Sequence, residues 1–134
     1  KETEGRQIFF QNVYDKTGKL RLNKTEPKTT DFREWDGVVH PLVRMHGETG
    51  RQALYLGGTI EGAWIVGMPM DESLSLLKEL WDHTTGMADI FVQTWEEGDI
   101  MMWDNRCTMH RRDGFDPNTI RIMHRTTTSG ERPV

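Results

Sequence analysis

A β-rich sandwich or barrel with one helix, at most two, is the fold class that this sequence predicts. Three observations carry that expectation. Short runs of branched and aromatic residues recur along the chain: Ile8–Tyr14, Ala53–Leu56, Trp64–Val66, Ile90–Trp95, Asp99–Trp103 and Ile120–Thr128. Turn signals built on Gly, Asp, Glu and Thr separate them at intervals of about ten residues. Only one stretch, 71–85, repeats its apolar residues at a helical period.

Taken in order, Asp15-Lys16-Thr17-Gly18 predicts a hairpin turn between strands Ile8–Tyr14 and Leu20–Leu22. Residues 23–38 are polar, contain Pro27 and keep no steady period, so a loop is expected there. His40-Pro41 opens a more ordered region. Glu48-Thr49-Gly50 is a turn, Ala53–Leu56 a short strand ending at Gly57-Gly58, and Trp64–Val66 another ending at Gly67. Within 71–85, Leu74, Leu76, Leu77, Leu80 and Trp81 form an apolar stripe. Asp71 is the expected N-cap and Gly86 the expected stop. Ile90–Trp95 and Asp99–Trp103 then read as strands around the turn Glu96-Glu97-Gly98, and Ile120–Thr128 as the last.

The chain has 134 residues, enough for one domain at most. Its apolar content of 35% is low for a globular chain and its charged content is 28%. No apolar run approaches the roughly 20 residues of a membrane helix. No signal-peptide pattern opens the sequence. It begins at Lys1 and not Met, so a natural start upstream is expected. A net charge of −4 argues against a nucleic-acid-coating surface. The lone cysteine, Cys107, excludes an internal disulfide framework and fits a reducing compartment, so a cytoplasmic location is expected.

Cation type is unevenly placed. All six lysines lie at or before Lys78, and Arg106, Arg111, Arg112, Arg121, Arg125 and Arg132 come after it. Arginine presents a planar fork that grips a carboxylate or sulfonate through two hydrogen bonds, which lysine cannot do. The densest stretch is Trp103-Asp104-Asn105-Arg106-Cys107-Thr108-Met109-His110, with Arg121-Ile122-Met123-His124-Arg125 beyond it. A polar turn at 104–106 would project His110. On a strand, Arg121, Met123 and Arg125 share one face, with the two arginine Cα atoms about 13 Å apart. A metal-bound molecule with a distal carboxylate suits one arginine and a second anion the other; surface solvation remains an alternative for both. His124 falls on the opposite face. Cys107 has no neighbouring base, so a small buried residue is expected there. Neither a phosphate-cradling lysine follows Gly57-Gly58-Thr59 nor a Gly-rich loop accompanies His110-Arg111-Arg112-Asp113, which sets aside nucleotide and kinase readings.

These motifs resemble the TauD/TfdA family of Fe(II)- and 2-oxoglutarate-dependent dioxygenases, which includes taurine and aryloxyalkanoate dioxygenases. Gly98-Asp99, Trp103-Asp104-Asn105-Arg106 with His110, and Arg121-x-Met123-His124-Arg125 carry the resemblance. So do His40-Pro41-Leu42-Val43-Arg44, Thr49-Gly50, Ala53-Leu54-Tyr55, and Ile65-Val66-Gly67-Met68 with the helix after it. It covers about residues 39–133. It implies an incomplete double-stranded β-helix (jelly roll), with residues 1–38 a loop and hairpin excursion and 39–134 the C-terminal part of the dioxygenase domain. It also implies Fe(II) as metal and 2-oxoglutarate as cosubstrate. By that resemblance His110 is the distal metal ligand, Arg121 pairs with the distal carboxylate of 2-oxoglutarate, and Arg125 faces a small anionic substrate, a sulfonate or aryloxyalkanoate. The implied reaction hydroxylates that substrate while 2-oxoglutarate is decarboxylated to succinate and CO₂.

One part of the family pattern is missing. The metal site there is two histidines and one carboxylate, two of them from a His-x-Asp/Glu pair. Upstream of His110 only His46-Gly47-Glu48 has that form, and it sits in a turn that matches a different family segment. The true pair is therefore expected in an N-terminal half of the same enzyme, before Lys1. A lone half exposes apolar surface, so homo-oligomerisation is expected. The rival readings are an inactive fragment and an anion-binding jelly roll without iron.

Overall fold

The computed structural model describes residues 5–15, 17–57 and 62–130. Lys16, Gly58, Thr59, Arg132 and Pro133, each part of an expectation above, lie outside them. Five strands and one α-helix are present among the described residues, and no barrel closes. The strands are β1 (Gln7–Gln11), β2 (Gly37–Pro41), β3 (Val43–Met45), β4 (Gln52–Leu54) and β5 (Ala63–Ile65), and the helix is α1 (Met70–Met87).

β1 is the middle strand of a three-stranded antiparallel sheet in the order β2-β1-β5. Ile8 faces His40 on one side and Ile65 on the other; Phe10 faces Val38 and Ala63. Ile8 and Phe9 point to opposite faces and both are buried, Ile8 in the core cluster and Phe9 with its ring against Gly37. Gly37 permits the β2 edge to approach: a Cβ there would lie 2.2 Å from the Phe9 ring. The expected 8–14/20–22 hairpin shrinks to one bridge, Tyr14 to Leu20. Its turn forms as the sequence suggests, with Asp15 Oδ1 accepting from the backbone of Thr17 (2.8 Å) and Lys19 (3.0 Å). The remainder of β1 pairs with β2, whose first residues fall in the stretch expected to be loop; that stretch also holds a 3₁₀ turn at Phe32–Glu34.

β3 and β4 form a separate hairpin, with Arg44 opposite Ala53. Gly50 closes its turn at φ 65°, a left-handed conformation, and donates its N–H to the His46 carbonyl at 2.8 Å. The Tyr55 N–H reaches the Leu42 carbonyl at 2.8 Å.

α1 lies against β5. Of the expected stripe, Leu76, Leu77, Leu80 and Trp81 face the core together with Ser73, and Leu74, 42% exposed, does not. The helix starts one residue earlier than expected. Pro69 occupies the cap with no side-chain bond, its carbonyl receives the Ser73 N–H at 2.9 Å, and Asp71 and Glu72 sit in the first turn near the positive end of the helix dipole. Gly86 does not stop it; helical geometry continues through Met87, and the chain turns extended at Ala88. The core is Ile8, Leu42, Leu56, Ala63, Ile65 and Leu77, one layer of sheet against one helix.

The segments expected as strands at 90–95, 99–103 and 120–128 carry no regular secondary structure and join no ladder among the described residues. Ile90, Phe91, Val92, Ile100, Ile120 and Ile122 are all more than 70% exposed. Alternating apolar residues favour extended backbone locally. A strand also needs pairing along a hydrogen-bonding edge, and these segments pair with none of the edges that β2, β5, β3 and β4 leave open. Among the described residues no helix is long and apolar enough to cross a membrane.

Candidate functional site

The turn at 104–108 is built by Asp104. Its Oδ1 accepts from the Arg106 backbone at 2.8 Å, and its main-chain carbonyl accepts from the N–H groups of Cys107 (3.3 Å) and Thr108 (3.1 Å) and from the Thr108 hydroxyl (2.6 Å). The Arg106 guanidinium folds back onto both carboxylate oxygens, Nε at 3.0 Å from each and Nη2 2.6 Å from Oδ2. This fork-to-carboxylate geometry is the strong form of ion pair.

Two contacts reach this turn from the β3–β4 hairpin, 58 residues away in sequence. His46 Nε2 lies 3.1 Å from Asp104 Oδ2, and Arg106 Nη2 donates to Glu48 Oε1 at 3.0 Å. The Thr49 N–H points at His46 Nδ1 at 3.3 Å. A backbone N–H can only donate, so Nδ1 is the acceptor nitrogen and Nε2 carries the proton given to Asp104. His46 is buried, and Glu48 is mostly exposed. The Arg106 guanidinium, its backbone N–H and the His46 ring together hold the Asp104 carboxyl well below the usual carboxylate range. Asp104, and to a lesser degree Glu48, raise Arg106 above its ordinary value.

His46 and Glu48 thus engage different partners on the turn. His46, Asp104 and Cys107 offer three ligand-type atoms within 4.8 Å of one another. The Arg106 fork already covers both Asp104 oxygens and would set a cation beside it, so this cluster does not fit a metal. Cys107 is exposed, against the expectation of a buried residue. No local pattern in the sequence signals the His46–Asp104 link. The available hint was that the motif Asp104-Asn105-Arg106 and the turn His46-Gly47-Glu48 both carry more charge than a turn needs.

Of the expected site residues, the structure brings His110 and Arg125 to the same ring. The His110 and Trp103 ring centroids are 4.9 Å apart, and the Arg125 guanidinium carbon lies 5.6 Å from the Trp103 ring centre. The Trp103 Nε1–H donates to Asn105 Oδ1 at 2.9 Å. Arg121 is placed elsewhere, 5.8 Å from the centre of Phe115, a ring it shares with Arg112 at 5.0 Å. His110, Arg121 and Arg125 are all exposed.

A family model, taurine catabolism dioxygenase TauD, TfdA family, matches residues 3–127. The chain is 39% identical over 121 residues to an alpha-ketoglutarate-dependent 2,4-dichlorophenoxyacetate dioxygenase of Cupriavidus pinatubonensis (strain JMP 134 / LMG 1197), covering 90% of this chain and 42% of that protein. It is 36% identical over 111 residues to one of the same name from Burkholderia sp. (strain RASC), covering 83% and 37%. An alpha-ketoglutarate-dependent sulfate ester dioxygenase of Pseudomonas putida is 37% identical over 95 residues, 71% of this chain and 31% of the relative. No solved structure matches the chain. The chain spans well under half the length of these relatives. The matched span takes in the β1 sheet, the helix, the Asp104 turn, His110, Arg121 and Arg125, and with it the chain belongs to the TauD/TfdA family.

Proposed function

We propose that this chain forms the C-terminal part of a non-haem Fe(II)- and 2-oxoglutarate-dependent dioxygenase that hydroxylates a small anionic substrate, sulfonate- or aryloxyalkanoate-like, and yields succinate and CO₂. The observation that carries this reading is the Trp103 ring, which gathers an imidazole and a guanidinium at 4.9 Å and 5.6 Å. A metal-ligand type and an anion-binding type of side chain share one anchor. The relatives' names point to the same kind of reaction on phenoxy acids and sulfate esters.

His110 fits one corner of a two-histidine, one-carboxylate site: its imidazole is exposed and makes no hydrogen bond to the described residues. The other two ligands are assigned to a His-x-Asp/Glu pair in the N-terminal half of the same enzyme. When bound, the iron supplies the oxygen chemistry; the residues of this chain bind and orient. Arg121 is assigned to the distal carboxylate of 2-oxoglutarate and Arg125 to the anionic group of the substrate. Each guanidinium rests against an aromatic ring, and stacking leaves the in-plane N–H groups available for a bidentate anion. Residues 39–134, with β1 as their sheet partner, then form the C-terminal part of a jelly roll that the N-terminal half completes by pairing with the unpaired segments after α1. The free thiol Cys107 suits a cytoplasmic setting.

The rival reading is an anion-binding jelly roll without iron, and its support is that His110 is one donor where three are needed. The test is an anaerobic titration of the whole protein with Fe(II) and 2-oxoglutarate, monitored through the visible charge-transfer band of the chelate, then admission of oxygen. A band and oxygen-dependent succinate are expected. Anion binding with neither would sink the dioxygenase reading and leave the iron-free one.

A further inference from the structure

We infer that His46 is a positioning residue for the metal ligand His110, acting through Asp104; the inference rests on the reading of His110 given above. His46 is 7% exposed and sits at the mouth of the β3–β4 hairpin, whose backbone fixes it through the bonds from its N–H to Arg51 and from Gly50 to its carbonyl, both 2.8 Å. Its ring is oriented by the Thr49 N–H on Nδ1, which leaves Nε2–H aimed at Asp104 Oδ2, 3.1 Å away. Asp104 in turn organises the 104–108 turn through its side chain and its carbonyl. Trp103 enters that turn and His110 leaves it, and their rings meet at 4.9 Å. A ligand on an exposed segment outside every strand and helix has no rigid support of its own. The support available to it is this chain of contacts from a buried histidine in the folded body.

The second tie from the hairpin, Glu48 to Arg106, is of a different kind. The Glu48 side chain is 74% exposed, and an exposed ion pair contributes little. His46 is therefore the anchor and Glu48 an accessory. Groups that orient a metal ligand from outside the coordination sphere change metal affinity by about 10- to 100-fold when removed.

The experiment compares His46→Ala, His46→Gln and Glu48→Ala with the wild type in the whole protein, by three readouts. Amide hydrogen exchange at Cys107 and Thr108 in the metal-free protein reports the turn. Anaerobic titration with Fe(II) and 2-oxoglutarate reports the ligand's placement. The unfolding midpoint reports stability. For His46→Ala, exchange about tenfold faster and iron affinity at least about tenfold weaker are expected, with the midpoint little changed. Glutamine keeps an N–H donor for Asp104, so His46→Gln should recover most of both. Glu48→Ala should stay within about twofold of wild type. Unchanged exchange in His46→Ala overturns the clamp. Faster exchange with unchanged iron affinity overturns the positioning role, and so does an affinity loss that tracks the midpoint and is not recovered by glutamine. A wild type that forms no chelate removes the iron reading itself, and leaves His46 nothing to position even where its exchange effect is present.

Discussion

Asp104 accepts from the Arg106 guanidinium, from the Arg106 backbone and from His46, and all three favour its ionised form, which is why its carboxyl stays well below the usual range. A group whose folded pKa is depressed stabilises its surroundings above its unfolded value, near 3.9, and that contribution is lost as pH falls toward the folded value. The turn is therefore expected to hold at neutral pH and to open only in acid below about pH 4. Amide signals of Cys107 and Thr108 recorded from pH 7 downward check this, and Asp104→Asn should abolish the acid step; a turn that opens near pH 6 would contradict it. Two further residues test the chemistry. His110→Ala in the whole protein should abolish iron-dependent turnover, and retained activity would end its role as ligand. Arg121→Ala should weaken 2-oxoglutarate by about 2–4 kcal/mol, because a carboxylate in the site loses its charged partner; an unchanged dissociation constant would free Arg121 of that role. The spacing of His110, Arg121 and Arg125 is written locally in the sequence, so all three stood out there. His46 stood out only as part of His46-Gly47-Glu48, and its tie to Asp104 did not: that partner is 58 residues away, and no local pattern records a contact made by tertiary packing.

Local pattern and tertiary packing also part company at the level of elements. α1 was legible because five apolar residues at a helical period need no partner to be seen, but which of them face inward was decided by β5. Leu77 is fully buried in the core cluster while Leu74, three residues earlier in the same expected stripe, is 42% exposed. Leu77→Ala should therefore cost about 2–5 kcal/mol in urea unfolding, the range for a buried leucine that leaves a cavity. Leu74→Ala should stay within about 0.5 kcal/mol. Equal effects at the two positions would mean the helix is rotated from its place here. Ser73 gives the helix a polar contact that hydrophobic periodicity hides: it is fully buried, and its hydroxyl accepts the Ile65 N–H of β5 at 2.8 Å. Ser73→Ala leaves that buried donor without a partner, for an expected loss of about 1–3 kcal/mol. A substitution with no effect would show that another acceptor takes its place. The strands were less legible for the same reason in reverse. Ile8–Tyr14 carried a correct strand signal and the wrong partner, since β1 takes β2 and β5 on its two edges in place of the nearby 20–22.

Across the whole molecule, the strands and the helix end with α1, and beyond it the described chain is irregular, joins no sheet and turns many apolar side chains to water. Ile90, Phe91 and Val92 are exposed by 73%, 77% and 77%, and Ile100, Ile120 and Ile122 by 93%, 91% and 75%. A folded chain rarely leaves that much apolar surface in contact with solvent. Covering one such side chain is worth about 1.5–3 kcal/mol, and extended backbone with unpaired N–H and C=O groups accepts any strand of matching edge. The covering surface is the N-terminal half under the function proposed here. Deprived of it, the 134-residue chain has only copies of itself to pair with. The isolated chain is therefore expected to elute above the monomer mass in a concentration-dependent way and to bind a hydrophobic dye. Adding the N-terminal half in trans should reverse both. Val92→Lys with Ile122→Lys should reduce self-association without touching the core cluster, because neither residue belongs to it. A monomeric, dye-silent chain would mean that the segments after α1 are content in water, and the pairing that completes the jelly roll would lose its driving force.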